Sequence, residues 1–152
     1  MSRIDLIKSR FSEFGIDSFL VKKLPNIRYI SGFSGSAGNI LITKDKNYFI
    51  TDFRYKTQSG MEVSKDFEVI IYIQNSMAFM TDLIKSHNLK KIGFESDFVT
   101  FNETQKLIND FPEAEFIPVS DLLVRIVSVK NEYEIELTKK AVEITDKTFS
   151  EL

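Results

Sequence analysis

The sequence predicts an α/β domain built on a mixed β-sheet with helices on both faces, and three observations point there. Two apolar runs flanking Lys44-Asp45-Lys46-Asn47 read as a β-hairpin with a polar turn, which supplies antiparallel pairing. Beyond the hairpin, short apolar strands alternate with segments of helical period, the pattern of strand–helix–strand units. The chain's 152 residues suit one such domain, large enough to bury roughly 68–70% of its extended surface.

The elements follow in order. Ser2 with Asp5 makes a capping-box pattern, in which a serine oxygen accepts an orphan helix N–H. Ile4, Ile7, Phe11 and Phe14 then recur at helical spacing, and Gly15 supplies a left-handed stop. Ser18-Phe19-Leu20-Val21 reads as a buried strand that Leu24-Pro25-Asn26 breaks. Ile27-Arg28-Tyr29-Ile30 leads into a glycine-rich loop. Asn39–Thr43 and Tyr48–Thr51 are the hairpin strands, and Phe53 to Ser59 reads as a short helix ended by Gly60. A strand over Phe67 to Ile73 precedes a helix over Met77 to His87, with Met80, Leu83, Ile84 and His87 on one face. Lys91–Phe94 is a strand, and Thr100 with Glu103 opens a second capped helix that runs to Asp110. Ala114 to Pro118 is the last strand, and Ser120 to Val124 a helical turn.

The tail reads differently. Asn131 to Leu152 is one long polar-rich helix supported by the i,i+4 pairs Glu136–Lys140 and Glu143–Lys147. Its apolar seam of Ile135, Ala141, Val142, Phe149 and Leu152 has no partner in the sequence. No stop signal follows it. The expectation is a domain over residues 1–125, then a linker and first helix of a missing second half over residues 126–152.

Composition excludes more chemistry than it suggests. Lys+Arg 20 against Asp+Glu 22 gives no basic excess to hold a nucleic acid. Zero cysteines remove disulfides, thiol nucleophiles and Cys-ligated zinc, and the single histidine, His87, removes any site that needs two imidazoles. The longest strongly apolar run, Val69–Ile73, falls far short of the roughly 20 residues that span a bilayer. With no signal-peptide core at the start, a cytoplasmic location with no membrane partner is expected.

Two segments are candidate sites. Half of the six glycines lie in Ser31-Gly32-Phe33-Ser34-Gly35-Ser36-Ala37-Gly38, a loop able to present N–H groups to a ligand. It lacks the Gly-Lys-Ser/Thr ending and the following helix of a phosphate loop. A tight structural loop is the first reading, a loop that reaches a partner or substrate the second. In Thr51-Asp52-Phe53-Arg54-Tyr55, Asp52 caps the following helix and Arg54 pairs with a carboxylate, either locally or on a substrate. A nuclease-type Mg²⁺ site over Asp45, Asp52, Glu95 and Asp97 is set aside, because their spacing does not demand convergence and no basic stripe accompanies them. His87 reads as a surface residue at a helix C-terminus.

Several of these segments together carry a resemblance. Asn26 through Gly38, then Thr51-Asp52-Phe53-Arg54-Tyr55 with Gln58, Ile92-Gly93-Phe94-Glu95, and the run Arg125 to Ile135 resemble the N-terminal domain of Xaa-Pro peptidases. That family comprises aminopeptidase P, prolidase and creatinase, and Gly-Ser-Ala-Gly after Gly-Phe makes the chain more similar to aminopeptidase P. The resemblance implies a ribonuclease H-like fold of the creatinase N-terminal type. It also implies a parent enzyme that removes an N-terminal residue preceding proline. Two divalent ions (Mn, Co or Zn) would be held by a C-terminal pita-bread domain beyond Leu152, so no catalytic or metal residue is assigned here. The partners implied are that catalytic domain, further subunits of a homodimer or higher oligomer, and a peptide with proline second. By position, Phe33, Ser34, Ser36, Asp52, Arg54 and Tyr55 are the candidates for a wall against a neighbouring subunit's site. The alternative is a stand-alone α/β interaction module without catalysis.

Overall fold

The computed structural model describes residues 2–73 and 76–151. A sheet of six strands forms its middle: β1 (Ser18–Val21), β2 (Asn39–Thr43), β3 (Asn47–Asp52), β4 (Glu68–Tyr72), β5 (Lys91–Glu95) and β6 (Glu115–Val119), in spatial order β4-β3-β2-β1-β5-β6. The hairpin strands β2 and β3 pair antiparallel with Ile42 opposite Asn47, so Asn47 belongs to the strand rather than to the turn. β1 joins β2 antiparallel, and the remaining pairs β1–β5, β3–β4 and β5–β6 are parallel. The predicted mixed sheet is therefore present.

The period of two along the strands sends alternate side chains to two cores. On one face, Phe19, Val21, Ile40, Ile42 and Phe49 pack beneath α1 (Arg3–Ser9), α2 (Phe11–Phe14), α3 (Leu24–Ser31) and α7 (Leu122–Ser128). On the other, Leu20, Leu41, Tyr48, Ile50, Ile92 and Phe94 meet α5 (Ser76–Ser86) and α6 (Phe101–Asp110). Because β1 lies inside the sheet with both faces covered, all four of its residues are buried.

Local signals placed most helix ends. The Ser2–Asp5 and Thr100–Glu103 capping boxes are formed, and Gly15 ends α2 at φ 64°. Several boundaries differ from the sequence expectation. The first helix breaks at Arg10, whose N–H donates to the Ile7 and Lys8 carbonyls in a tightened turn, with no glycine or proline marking the place. The Leu24-Pro25-Asn26 breaker instead starts α3: proline near the first helical position loses no hydrogen bond, and Ile27 and Ile30 are buried. Gly60 does not end its helix. A 3₁₀ turn (Phe53–Tyr55) is followed by α4 (Lys56–Glu62), which runs through Gly60 and stops at the extended Val63. α7 extends to Ser128 with Ile126 in the core. Asn88 at φ 49° terminates α5, and His87 Nε2 and the Tyr48 hydroxyl share a 2.6 Å hydrogen bond in place of a helix-end surface role.

The long tail helix is α8 (Glu132–Ser150), capped by Asn131. Leu152, the predicted last residue, lies outside the described residues. The ion pairs along its length are Glu136 with Lys139 and Lys147 with Glu151, one residue or one turn away from the predicted partners, while Glu134 pairs outside the helix with Arg3. Ile135, Val142 and Phe149 are exposed.

The N-terminus of α6 is tied to the β1–α3 junction by Lys22, whose Nζ lies 2.7 Å from Glu103 Oε1. That ammonium and the Thr100 N–H hold the Glu103 carboxyl down at about 2. A carboxyl lowered on folding stabilises above its unfolded pKa and loses that contribution as pH falls through the folded value. The stability difference between wild type and Glu103→Gln is therefore expected to hold near neutrality and to shrink as pH drops from 4.5 to about 2. Urea midpoints across that range measure it, and a difference that stays constant there removes the link.

Candidate functional site

The two candidate segments meet at one end of the sheet. The loop from Gly32 to Gly38 leaves α3 and enters β2, while Asp52 ends β3, the strand hydrogen-bonded to β2, and Phe53 to Tyr55 follow it. Thr51 Oγ1 donates to the Ala37 carbonyl at 2.6 Å, and the Ser36 and Tyr55 hydroxyls lie 2.6 Å apart. The structure thus brings all six sequence-predicted residues to one corner, in unequal positions.

Phe33 is the anchor underneath. It is 1% exposed, with its ring 4.7 Å from Phe49 and 5.5 Å edge-on from Tyr55. Two glycines make room for these rings. A Cβ on Gly35 would stand 2.3 Å from Phe33 Cζ, and one on Gly38 2.9 Å from Phe49 Cζ. Close approach, not phosphate binding, accounts for glycine at both positions.

Ser34 is exposed and held by a residue that sequence reasoning missed. Glu62 Oε2 accepts from the Ser34 N–H at 2.7 Å and from its hydroxyl at 2.9 Å, and Gln58 Nε2 donates to both Ser34 Oγ and Glu62 Oε1. The Ser34 backbone N–H, then its hydroxyl, keep the Glu62 carboxyl below its usual range. The i,i+4 spacing of Gln58 and Glu62 on α4 faces both side chains the same way, but nothing local identifies Ser34 as their neighbour.

Asp52 and Arg54 form the expected local arrangement. Asp52 Oδ1 accepts from the Arg54 N–H at 3.0 Å and from Nε at 2.8 Å, and Oδ2 accepts from Nη2 at 2.9 Å. The guanidinium first, helped by that backbone N–H, holds Asp52 below the usual carboxylate range. The Asp52 side chain is 10% exposed and that of Arg54 is 64% exposed, with its Cζ 5.5 Å from the Tyr55 ring centre. The corner therefore shows outward a guanidinium, an aromatic ring and two serine hydroxyls. This set can accept a carboxylate or a polar chain through hydrogen bonds.

The acidic residues Asp45, Asp52, Glu95 and Asp97 do not gather. Asp45 sits in the hairpin turn at the far end of β3 from Asp52, and Asp97 pairs with Lys23 at 3.0 Å. Glu95 spends its oxygens on the Lys22 N–H, the Lys23 N–H and Asn26 Nδ2, at 2.6, 2.7 and 2.6 Å. Among the described residues no group of three or more His, Cys, Asp or Glu is placed to hold a metal ion. Among the described residues these donors do not fit a two-metal centre.

Residues 3–127 match the Creatinase/Prolidase N-terminal domain family. The chain belongs to that family. It is 33% identical over 147 residues to the peptidase YqhT of Bacillus subtilis, covering 97% of this chain and 41% of that protein. Among solved structures, the Xaa-Pro dipeptidase from Bacillus anthracis superposes with a TM-score of 0.91 at 32% identity, over 98% of this chain and 41% of that one. The N-terminal domain of the cytoplasmic peptidase PepQ from Mycobacterium tuberculosis superposes with a TM-score of 0.73 at 30% identity, over 82% of this chain and 97% of that one. This creatinase/prolidase-type domain thus spans about two fifths of the longer relatives it matches. No described helix is long and apolar enough to cross a membrane.

Proposed function

We propose that this chain is the non-catalytic N-terminal domain of a cytoplasmic, metal-dependent Xaa-Pro aminopeptidase that removes an N-terminal residue preceding proline. The observation that carries the reading is the match over residues 3–127, in a chain that covers 41% of peptidase relatives. On this reading the two divalent ions are held by the remainder of such a protein; among the described residues the acidic side chains do not converge. The domain's part is to make subunit contacts and to wall a neighbouring subunit's site with the corner of Ser34, Ser36, Arg54 and Tyr55, braced by Phe33 and Asp52. Such a wall positions substrate and restricts access, and it performs no bond chemistry.

Assaying this chain and the longer protein that contains it with a proline-second peptide and Mn²⁺ tests the reading. Turnover is expected only from the longer protein, and turnover by these 152 residues alone overturns it. In the longer protein, Arg54→Ala is expected to lower kcat/KM and leave the unfolding midpoint in place. A lowered midpoint with unchanged kinetics reduces Arg54 to its ion pair with Asp52.

A further inference from the structure

The helix α8 touches the rest of the molecule through very little. Each of its described residues is exposed except Glu134, which is half-buried. Glu134 carries two connections at once. Its carboxylate accepts from the Asn131 N–H at 2.8 Å, closing the capping box that starts α8, and it also pairs with Arg3 Nη2. Arg3 opens the first helix, 131 residues earlier in the chain.

Arg3 is placed to join three elements. Its Nη1 donates to the carbonyls of Ile126 and Val129, at 3.4 and 3.3 Å, where the end of α7 leaves acceptors without helical partners. Its guanidinium lies over the Tyr29 ring of α3, 5.2 Å from the centre. The Tyr29 hydroxyl is buried without a hydrogen bond of ordinary geometry and faces the Glu134 carboxylate. Burial first, and that carboxylate next, push its pKa up to about 12. The Arg3 and Glu134 side chains are 19% and 21% exposed, so this pair is less screened than the pairs further along α8.

We infer that Arg3 is a latch: by gripping the end of α7 and Glu134 together over Tyr29, it sets the angle at which α8 leaves the sheet domain. A planar guanidinium suits this task because its fixed fork addresses carbonyls and a carboxylate in different directions simultaneously. Without the grip, the extended residue Val129 and its neighbours are a short joint with no packed face to hold α8. Within the proposed function, and resting on that reading, the latch makes Arg3 a positioning residue for whatever follows α8.

The absence of cysteine allows a direct test on this chain. Lys106→Cys on α6 and Lys140→Cys on α8 are both exposed sites for nitroxide labels, and pulsed electron resonance gives the distance distribution between them. One narrow distribution is expected for the otherwise unchanged chain, and at least a twofold broader one after Arg3→Ala. Glu134→Gln preserves a capping side chain while removing the charge, and it is expected to broaden the distribution as well. Arg10→Ala, which removes only the neighbouring pair with Glu13, is expected to leave it narrow. A broad distribution before any substitution, or a narrow one after both Arg3→Ala and Glu134→Gln, overturns the latch. Should Arg3→Ala unfold the domain by circular dichroism, Glu134→Gln alone decides. No peptide is involved, so the latch and the peptidase reading fail separately.

Discussion

Replacing Glu95 by alanine is expected to cost about 2–4 kcal/mol of folding stability, read as a lower urea midpoint at unchanged slope. Glu95 is 2% exposed at the end of β5, and its carboxylate accepts from two successive backbone N–H groups, Lys22 and Lys23, and from the Asn26 side chain. Lys23 is the N-cap residue of α3, so the carboxylate lies where a helix start leaves orphan donors and carries partial positive charge. By accepting the N-cap N–H it does for α3 what the glutamate of a capping box does elsewhere, from a strand more than seventy residues away in sequence. Alanine strands three donors at once, each costing about 1–3 kcal/mol when fully buried and less where water enters. Glutamine keeps one acceptor oxygen and is expected to lose less. A loss under about 1 kcal/mol for alanine would show that water replaces the carboxylate fully.

Phe33→Ala is expected to destabilise by about 3–5 kcal/mol, the ordinary range for a fully buried phenylalanine. The ring is enclosed by Phe49, Tyr55 and the backbone of Gly35, so its removal opens a cavity between the glycine loop and the sheet. The same substitution separates two roles for the corner. If the unfolding midpoint falls by this amount and the folded fraction of the longer protein keeps its kcat/KM, Phe33 only supports the loop. A fall in kcat/KM larger than the unfolded fraction explains would mean that loop geometry reaches the substrate. A midpoint within about 1 kcal/mol of wild type would contradict the enclosed placement of the ring.

Much of the fold was legible because it rests on local rules. The Lys44–Asn47 turn between apolar runs, the capping residues Ser2 and Thr100, and the left-handed Gly15 each state their role within four residues of chain. Where the structure departs from the local expectation, the deciding partner is distant or the local sign is ambiguous. Pro25 both ends strands and begins helices; the burial of Ile27 and Ile30 against the sheet selects the helix. Gly60 lies inside α4 and stands in open space, so nothing there forces a stop. On α8 the spacing allowed several ion pairs at once, and exposed pairs differ too little in energy for sequence to choose among them.

The candidate corner divides the same way. That Asp52 would cap and Arg54 would pair was readable, because both acts occur within a two-residue span. That Glu62 would pin Ser34, that Glu95 would cap α3, and that Arg3 would hold Glu134 was not readable. Each joins residues dozens of positions apart, through a carboxylate whose sequence neighbours say nothing of its target. Local signals alone carried the α/β class, the hairpin, the helix caps and the resemblance to a peptidase domain. Periodicity, turn chemistry and short motifs all act over a few residues. Which carboxylates are already satisfied was settled by packing across the sheet. A carboxylate's role depends on which N–H groups the sheet order brings within 3 Å of it, and sheet order is a property of the whole chain.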